Sequence, residues 1–566
     1  MFPKILSYNK FISSYAKKFN DMTNNDIGGY NLSAGTKTFM INGRIYNLFA
    51  TRVSLVPYHS VDTEIIPGNT NCDKSEKEFK EKKTEPVKNI IITQKNFDSR
   101  YKKIPEDDYG KNFVWNAWNI PRRNHSNIFI GEITKDNTII EKEIVYENEI
   151  AIDSRILYLK TIEFQNIYDN LYLFLIIPRN LINNLYHLII IKYKNEDDSF
   201  ISKLIKISTN IMRSTSINNN LGLNSNSINT TCYKFEIIEN DLYESDELHL
   251  YYFNWFENNC ITQFINVINI PSSEYLKKNF LSLKKIEYYN HLTLKKNPIK
   301  TLESQLIKCE LEIKNNFLNG DYKYEKICQK IYRIKNLEMS FGTPFIKTIN
   351  NKLLGIGHSK LLSNDNIYVY KSEKLIRLQK LIPDILRKLF NNKYKQHHSS
   401  FFPGCISGNN YFSYFIKYDD INKTFFISDF FIPIDTSDKY HFSLIFTVGI
   451  FNIDNYTYIT SGEGDYYNSI IKYDTNDILC SCIHDVLDSG FNYDKINFYF
   501  QIKCKNKIMK NVLIDDTLNV DDIYENCVNI DFPNLEHISL SSQSKKYLKK
   551  YFKYKKKYLD MKKDII

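Results

Sequence analysis

The chain has 566 residues, 43% of them hydrophobic and 25% charged, the balance of a globular protein rather than a disordered or membrane-spanning one. Its net charge is +10. Ten lysines between Lys545 and Lys563, less Asp560 and Asp564, place about +8 of that in the last segment, so the body is close to neutral and no nucleic-acid partner is expected. Ten cysteines are too few for a disulfide scaffold, and free core thiols are expected. The excess of Asn, Ile, Lys and Tyr reflects an AT-rich coding bias rather than a ligand signature.

Residues 1–30 read as a polar leader without an apolar signal core, so secretion is not expected. Phe39-Met40-Ile41, Asn42-Gly43 and Ile45 to Ala50 form a hairpin signal, because Asn-Gly supplies the type I′ turn that matches strand twist. Asn69 to Lys88 is charged and poor in apolar residues, a loop composition. Short β-branched and aromatic runs then recur: Asn127 to Gly131, Ile156 to Leu159, Leu171 to Ile177, Leu185 to Ile191, Lys234 to Ile238 and Leu248 to Phe253. Most are bounded by Asn, Asp, Gly or Pro, which predicts a mainly β chain rather than alternating β and α units. None is long enough to be a transmembrane segment.

Residues 272–337 differ. Ser273 and Glu274 resemble a helix start, and Leu302, Leu306, Cys309 and Ile313 recur at helical spacing, which predicts a helical insertion. A further helix is expected over Glu373 to Leu389, with Leu375, Leu378, Leu381 and Ile382 on one face and Pro383 kinking or splitting it. The β pattern returns in Tyr411 to Ile416, Thr424 to Ser428, Ser443 to Ile450, Tyr456 to Thr460 and Ile496 to Ile502. In the segment 516–566, Tyr547, Tyr551, Tyr554, Tyr558, Met561 and Ile565 alternate four- and three-residue steps among lysines. That is a basic amphipathic helix suited either to a partner helix or to an anionic surface.

Several strand ends carry polar groups. Arg52 follows the first hairpin, and Asp153 and Arg155 precede the Ile156 strand. Asn254 and Trp255 end the Leu248 strand, His358 and Lys360 end the Leu353 strand, and Glu463 and Asp465 end the Tyr458 strand. Repeated strands that deliver polar residues to one rim are how a β-propeller builds a central site. A glycosyl-transferring site needs a carboxylic acid beside the leaving oxygen, cations for a phosphate, and polar groups for hydroxyls. All three kinds are present. Trp115 and Trp118 flank Asn116 and either line the site or pin a loop.

The order of these motifs resembles the five-bladed β-propeller family of β-mannoside phosphorylases and β-mannosyltransferases, in the form found in giant viruses. The Arg-ended first hairpin comes first, then Ile152-Asp153-Ser154-Arg155 where the family has Glu-Asp-Pro-Arg. Asn254-Trp255 follows, similar to Lys-Asn-Trp. Next come Gly342-Thr343-Pro344 with Gly355-Ile-Gly357-His358-Ser-Lys360, and then Phe442-Ser443 followed by Gly462-Glu-Gly-Asp465. The resemblance covers roughly residues 30–475. Its implied fold is a five-bladed β-propeller over 31–271 and 338–515, interrupted by the helical insertion at 272–337 and followed by the C-terminal helix.

The resemblance implies Asp153 as the general acid of an inverting transfer. It implies Arg52, Arg155, His358 and Lys360 on phosphate or sugar hydroxyls, Asn254, Glu463 and Asp465 as further substrate contacts, and Trp255 as a stacking wall. No metal and no cofactor are implied. The partners would be a sugar phosphate or sugar nucleotide donor and a sugar acceptor. The lysine–tyrosine tail resembles a segment of many giant-virus proteins, which implies host cytoplasm or virion as the location. Ile152 and Ser154 depart from the family pattern. They keep open an alternative from another class, a non-catalytic propeller that binds glycan or protein.

Overall fold

The computed structural model describes residues 2–14, 16–17, 29–54, 124–148, 154–177, 185–208, 230–240, 244–256, 260–289, 307–308, 333–335, 338–361, 368–370, 372–390, 410–435, 445–463, 467–488, 491–504, 509–515, 517–518 and 523. The described chain is mainly β. Strand β1 (Ser7–Phe11) comes first. The first sheet follows, from β2 (Gly29–Ala34), β3 (Phe39–Ile41), β4 (Arg44–Ser54), β5 (Asn124–Ile133) and β6 (Ile139–Asn148), ordered β2-β4-β5-β6 with β3 on β4. Asn42 and Gly43 both have positive φ, 51° and 72°, as a type I′ turn requires. Ile41 accordingly faces Arg44.

The second sheet is an antiparallel run of β7 (Arg155–Ile162), β8 (Leu171–Ile177), β9 (Leu185–Lys194) and β10 (Ser199–Ser208). Every residue of β8 is buried, which explains its unbroken apolar sequence: both faces of the sheet are covered. The third sheet holds β11 (Thr230–Ile238), β12 (Ser245–Phe256) and β13 (Cys260–Pro271). Helix α1 (Ser273–Asn279) then begins, capped by Ser272, whose Oγ accepts from the Tyr275 amide at 3.2 Å. Strand β14 (Ile286–Tyr289) lies parallel to β10, and β15 (Ile307–Lys308) pairs with β13. Of the expected helical insertion, α1 is the helix among the described residues. The stripe positions Leu302, Leu306, Cys309 and Ile313 lie outside them.

After β16 (Arg333–Lys335), the fourth sheet takes β17 (Glu338–Phe341), β18 (Ile346–Lys347) and β19 (Leu353–Leu361). Strand β20 (Tyr368–Tyr370) pairs with β16, and α2 (Glu373–Phe390) follows as one helix that runs on through Pro383. Its Leu375, Leu378, Ile382 and Ile385 enter the core, the single apolar face expected of it. The sheet continues with β21 (Asn410–Asp419), β22 (Thr424–Ile427) and β23 (Phe430–Asp435). The fifth sheet is β24 (Ile445–Ile453), β25 (Tyr456–Glu463) and β26 (Tyr467–Asp474). Beyond α3 (Thr475–Ser481), the strands β27 (His484–Asp485), β28 (Phe498–Lys503) and β29 (Met509–Leu513) return to the fourth sheet, β28 lying parallel to β23.

The core lies in the seams between sheets. Phe39, Leu48 and Ile130 meet Phe174 and Ile189 between the first and second sheets. Leu175 and Leu188 meet Leu248 and Ile268 between the second and third. Phe253 meets Phe341 and Tyr418 between the third and fourth. Ile356 and Phe415 meet Ile459 and Ile471 between the fourth and fifth. Phe451 and Ile470 meet Phe49 and Phe129 between the fifth and first. Each sheet thus buries one face on the sheet before it and one on the sheet after it, and the fifth packs on the first.

The N-terminus is part of this framework. β1 pairs antiparallel with β26, so the first strand of the chain completes the last sheet. The Phe2 ring stacks on Tyr499 at 4.8 Å, and Gln501 donates to the Pro3 carbonyl at 2.8 Å. Asn9 Nδ2 donates to the Asn137 carbonyl of the first sheet at 2.9 Å. Residues 2–14, within the stretch read as a leader, therefore touch the fourth, fifth and first sheets. The tyrosine–lysine stripe from Tyr547 to Ile565 lies outside the described residues. Among those residues no helix is long and apolar enough to cross a membrane. Cys232, Cys480 and Cys482 are free thiols, but the buried Cys504 is disulfide-bonded, which corrects the expectation of free thiols at that position.

Candidate functional site

In all five large sheets the start of the first strand pairs with, or is paired by, the end of the next. Tyr30 faces Arg52, Arg155 faces Ile177, Thr230 faces Asn254, Glu338 faces Lys360 and Ile445 faces Glu463. The residues singled out from the sequence sit at this end. Trp255 lies one position beyond Asn254, and His358 lies two before Lys360 on the same face of β19. Of Asn254, Trp255 and Lys360 only the backbone position is described. Asp153 and Asp465, with Trp115 and Trp118, lie outside the described residues.

The seams bring three of these sheets together at one ring. The Arg155 guanidinium lies 5.8 Å from the centroid of Phe446 on β24, within reach of a cation–π attraction. His358 meets the same ring edge-on at 4.6 Å and 63°. Tyr411 of β21 stands 5.8 Å from His358 and 6.2 Å from Phe446. So the second, fourth and fifth sheets each contribute an aromatic or cationic group to one cluster. The first sheet steadies it, since Ser33 Oγ donates to the carbonyl of Ser154 at 2.5 Å, immediately before Arg155.

Two glycines of the sequence motifs serve this packing rather than a ligand. A Cβ on Gly357 would stand 2.2 Å from the ring of Tyr414, whose hydroxyl donates to the Ser340 carbonyl at 2.8 Å. A Cβ on Gly462 would stand 2.1 Å from the Asn31 amide nitrogen of β2. Close approach of backbone and ring excludes a side chain at both positions.

Arg52 is buried at the first sheet's site end. Beside it, Thr51 Oγ1 donates to Asn468 Oδ1 of the fifth sheet at 3.0 Å. Glu463 is 2% exposed, and both its oxygens are engaged: Tyr8 donates to Oε1 at 2.5 Å and Lys10 pairs with Oε2 at 2.6 Å. The carboxylate read from the sequence as a sugar contact is thus held by the N-terminal strand. Asn127 is also fully buried, and neither atom of its amide has a hydrogen-bond partner among the described residues. A buried amide without protein partners is a place for ordered water.

The sequence reading missed Phe446 as a hub, although it closes the Phe442 to Phe446 run. It also missed Tyr8 and Lys10. No local signal marks those two, because Tyr8 and Glu463 are 455 positions apart. Chemically the cluster joins a guanidinium and two aromatic faces over an imidazole, His358, that is itself 0% exposed. Such a set can bind an anionic group beside a sugar ring.

No family model matches the chain, and no curated protein matches it. Among solved structures, a glycosyl hydrolase from Bacteroides ovatus aligns at 10% identity over 84% of this chain and 91% of its own, with a TM-score of 0.29. A structure from the GH130 family of mannoside phosphorylases, which contains glycoside hydrolases that target β-1,2 mannosidic linkages in Candida mannan, aligns at 10% identity over 84% and 91%, TM-score 0.27. The β-1,2-mannobiose phosphorylase from Listeria innocua, in complex with β-1,2-mannobiose, aligns at 9% identity over 81% and 93%, TM-score 0.28. Likenesses with TM-scores this low carry no functional weight by themselves.

Proposed function

We propose that the chain is a glycosyl-transferring enzyme, a glycosyltransferase or an inverting glycoside phosphorylase, acting on β-mannoside-like sugars and built as a five-bladed β-propeller. The blades are the five large sheets, and the seams that return from the fifth sheet to the first support the ring. The observation that carries the functional reading is the meeting of Arg155 and His358 on Phe446, at the strand ends that also bear Arg52, Asn254 and Lys360.

In this reading Arg155, Arg52, His358 and Lys360 hold the anionic group of donor or phosphate. For phosphorolysis, a phosphate oxygen forms a bond to the anomeric carbon from the face opposite the leaving oxygen. The glycosidic C–O bond breaks, and the Asp153 carboxyl delivers its proton to that oxygen. The products are a sugar 1-phosphate of inverted configuration and the free acceptor sugar. Trp255 supplies a stacking face and Asp465 a hydroxyl contact.

Two features favour the second reading, a glycan- or protein-binding propeller without catalysis. Ile152 and Ser154 stand where the family carries Glu and Pro, and the Glu463 carboxylate is already engaged by Tyr8 and Lys10. The test is release of phosphate or nucleotide from a panel of sugar 1-phosphates and sugar nucleotides, with acceptor sugars present. The wild type is expected to turn over at least one donor, and a folded Asp153→Asn variant is expected to lose roughly 10²- to 10⁴-fold in rate. No turnover with any donor, together with sugar binding that survives Asp153→Asn, would make the binding propeller the correct reading.

A further inference from the structure

We propose that Tyr8 and Lys10 of the N-terminal strand are positioning residues for the candidate site, acting through Glu463. The inference rests on the glycosyl-transfer reading above and adds to it two residues at the far end of the chain. Glu463 is the last residue of β25. Its neighbour Gly462 pairs with Phe446 across the β24–β25 ladder, and Phe446 is the ring on which Arg155 and His358 pack. The position of Glu463 therefore sets the rung that carries the cluster.

The grip on Glu463 comes entirely from β1 among the described contacts. One oxygen takes the Tyr8 hydroxyl and the other the Lys10 ammonium. Lys10 is itself 9% exposed, 5.3 Å over the Tyr8 ring and 5.6 Å over Tyr467. Lys503 Nζ donates to the Tyr8 carbonyl at 2.8 Å and to Asp435 at 2.9 Å, which pins the strand from the fourth sheet. A carboxylate this buried does not keep its place once its cation is gone, because an unpaired charge in such a setting is strongly disfavoured. Removing Lys10 should swing Glu463 toward solvent and draw the end of β25 with it.

The side chain of Asn9 provides an internal control. It lies on the opposite face of the same strand and bonds the turn at Asp136 and Asn137 instead of Glu463. Loss of Asn9 weakens the docking of β1 without touching the carboxylate.

The experiment uses the full chain with Lys10→Met, Lys10→Arg, Tyr8→Phe and Asn9→Ala. Turnover of a donor that the wild type accepts in the panel is measured, as is binding of inorganic phosphate, at a temperature where circular dichroism shows each variant folded. Lys10→Met is expected to raise KM and weaken phosphate binding about tenfold, with kcat changed less than about threefold. Lys10→Arg is expected to restore most of the loss, and Asn9→Ala to leave KM at the wild-type value. If Lys10→Met does not fold, Tyr8→Phe, which keeps the ion pair, carries the test with a smaller rise in KM. Wild-type KM and phosphate affinity in folded Lys10→Met or Tyr8→Phe would overturn the inference, leaving β1 as a closing strand alone. An equal rise in KM for Asn9→Ala would overturn it too, since strand docking would then be the cause. A wild type that neither turns over nor binds any donor would sink the glycosyl-transfer reading first and this inference with it.

Discussion

Gly462→Ala is expected to destabilise the folded chain by about 3 kcal/mol, at the upper end of the cost of overpacking. The added Cβ would stand 2.1 Å from the amide nitrogen and 2.9 Å from the Cα of Asn31. Both are backbone atoms, so no side-chain rotation relieves the contact. β2 and β25 must move apart, and the Thr460 hydroxyl that donates to the Leu32 carbonyl at 2.6 Å lengthens with them. Gly43→Ala provides the comparison. Gly43 has φ of 72° and open space around it, so its cost is the left-handed backbone alone, about 1 kcal/mol. Urea midpoints of the two variants separate these effects. Equal shifts would mean that β2 does not approach β25 so closely.

The second large effect is acid lability centred on His187. This residue is 3% exposed, and neither ring nitrogen has a hydrogen-bond partner among the described residues. It shares a face with Ile189 and Ile191 in the seam between the first and second sheets, and its cross-strand neighbour is Lys206. Burial, with a smaller contribution from the Lys206 charge, pushes its pKa from 6.5 down to about 3. The unfolded chain therefore takes up a proton below about pH 6.5 that the folded chain refuses until near pH 3. Stability is fully present above pH 6.5 and falls as the pH is lowered through that window.

One proton refused over the interval from pH 6.5 to 5.0 amounts to about 2 kcal/mol. His187→Leu keeps an apolar side chain in the seam and removes the titrating group. It is expected to match or exceed wild-type stability at pH 7.5 and to flatten the dependence between pH 6.5 and 5.0 by about one proton. A slope unchanged by the substitution would place the acid sensitivity elsewhere.

Much of the local structure was legible in the sequence, for local reasons. The Leu171–Ile177 run became β8 residue for residue, since seven consecutive apolar positions suit a strand covered on both faces. Asn42-Gly43 became the left-handed turn its composition favours. The face of α2 followed from its spacing, although Pro383 did not split the helix. That Arg52, Asn254, Lys360 and Glu463 fall at strand ends was legible too, because a polar group just before a turn marks a strand end whatever the sheet.

The roles of individual residues were not legible in the same way. Gly357 and Gly462 stood in the sequence only as positions of two motifs, and what makes them glycine proved to be the ring of Tyr414 and the backbone of Asn31. Glu463 was read as a substrate contact at a strand end and Cys504 as a free thiol; the carboxylate of the first is held by β1 and the second is disulfide-bonded.

By itself the sequence determined that this chain is mainly β, where strands such as β8, β9, β12 and β25 and the Asn42-Gly43 turn lie, and which strand ends carry charge, while β1, β6, β10 and β13 went unread. These properties depend on side-chain period and turn chemistry within about ten residues. Only the tertiary structure decided that the N-terminal strand completes the last sheet, that Arg155 and His358 share Phe446, and that Lys10 neutralises Glu463. Those outcomes depend on which faces of which sheets bury one another. That choice is made by packing between segments hundreds of residues apart, and no short stretch of sequence contains it.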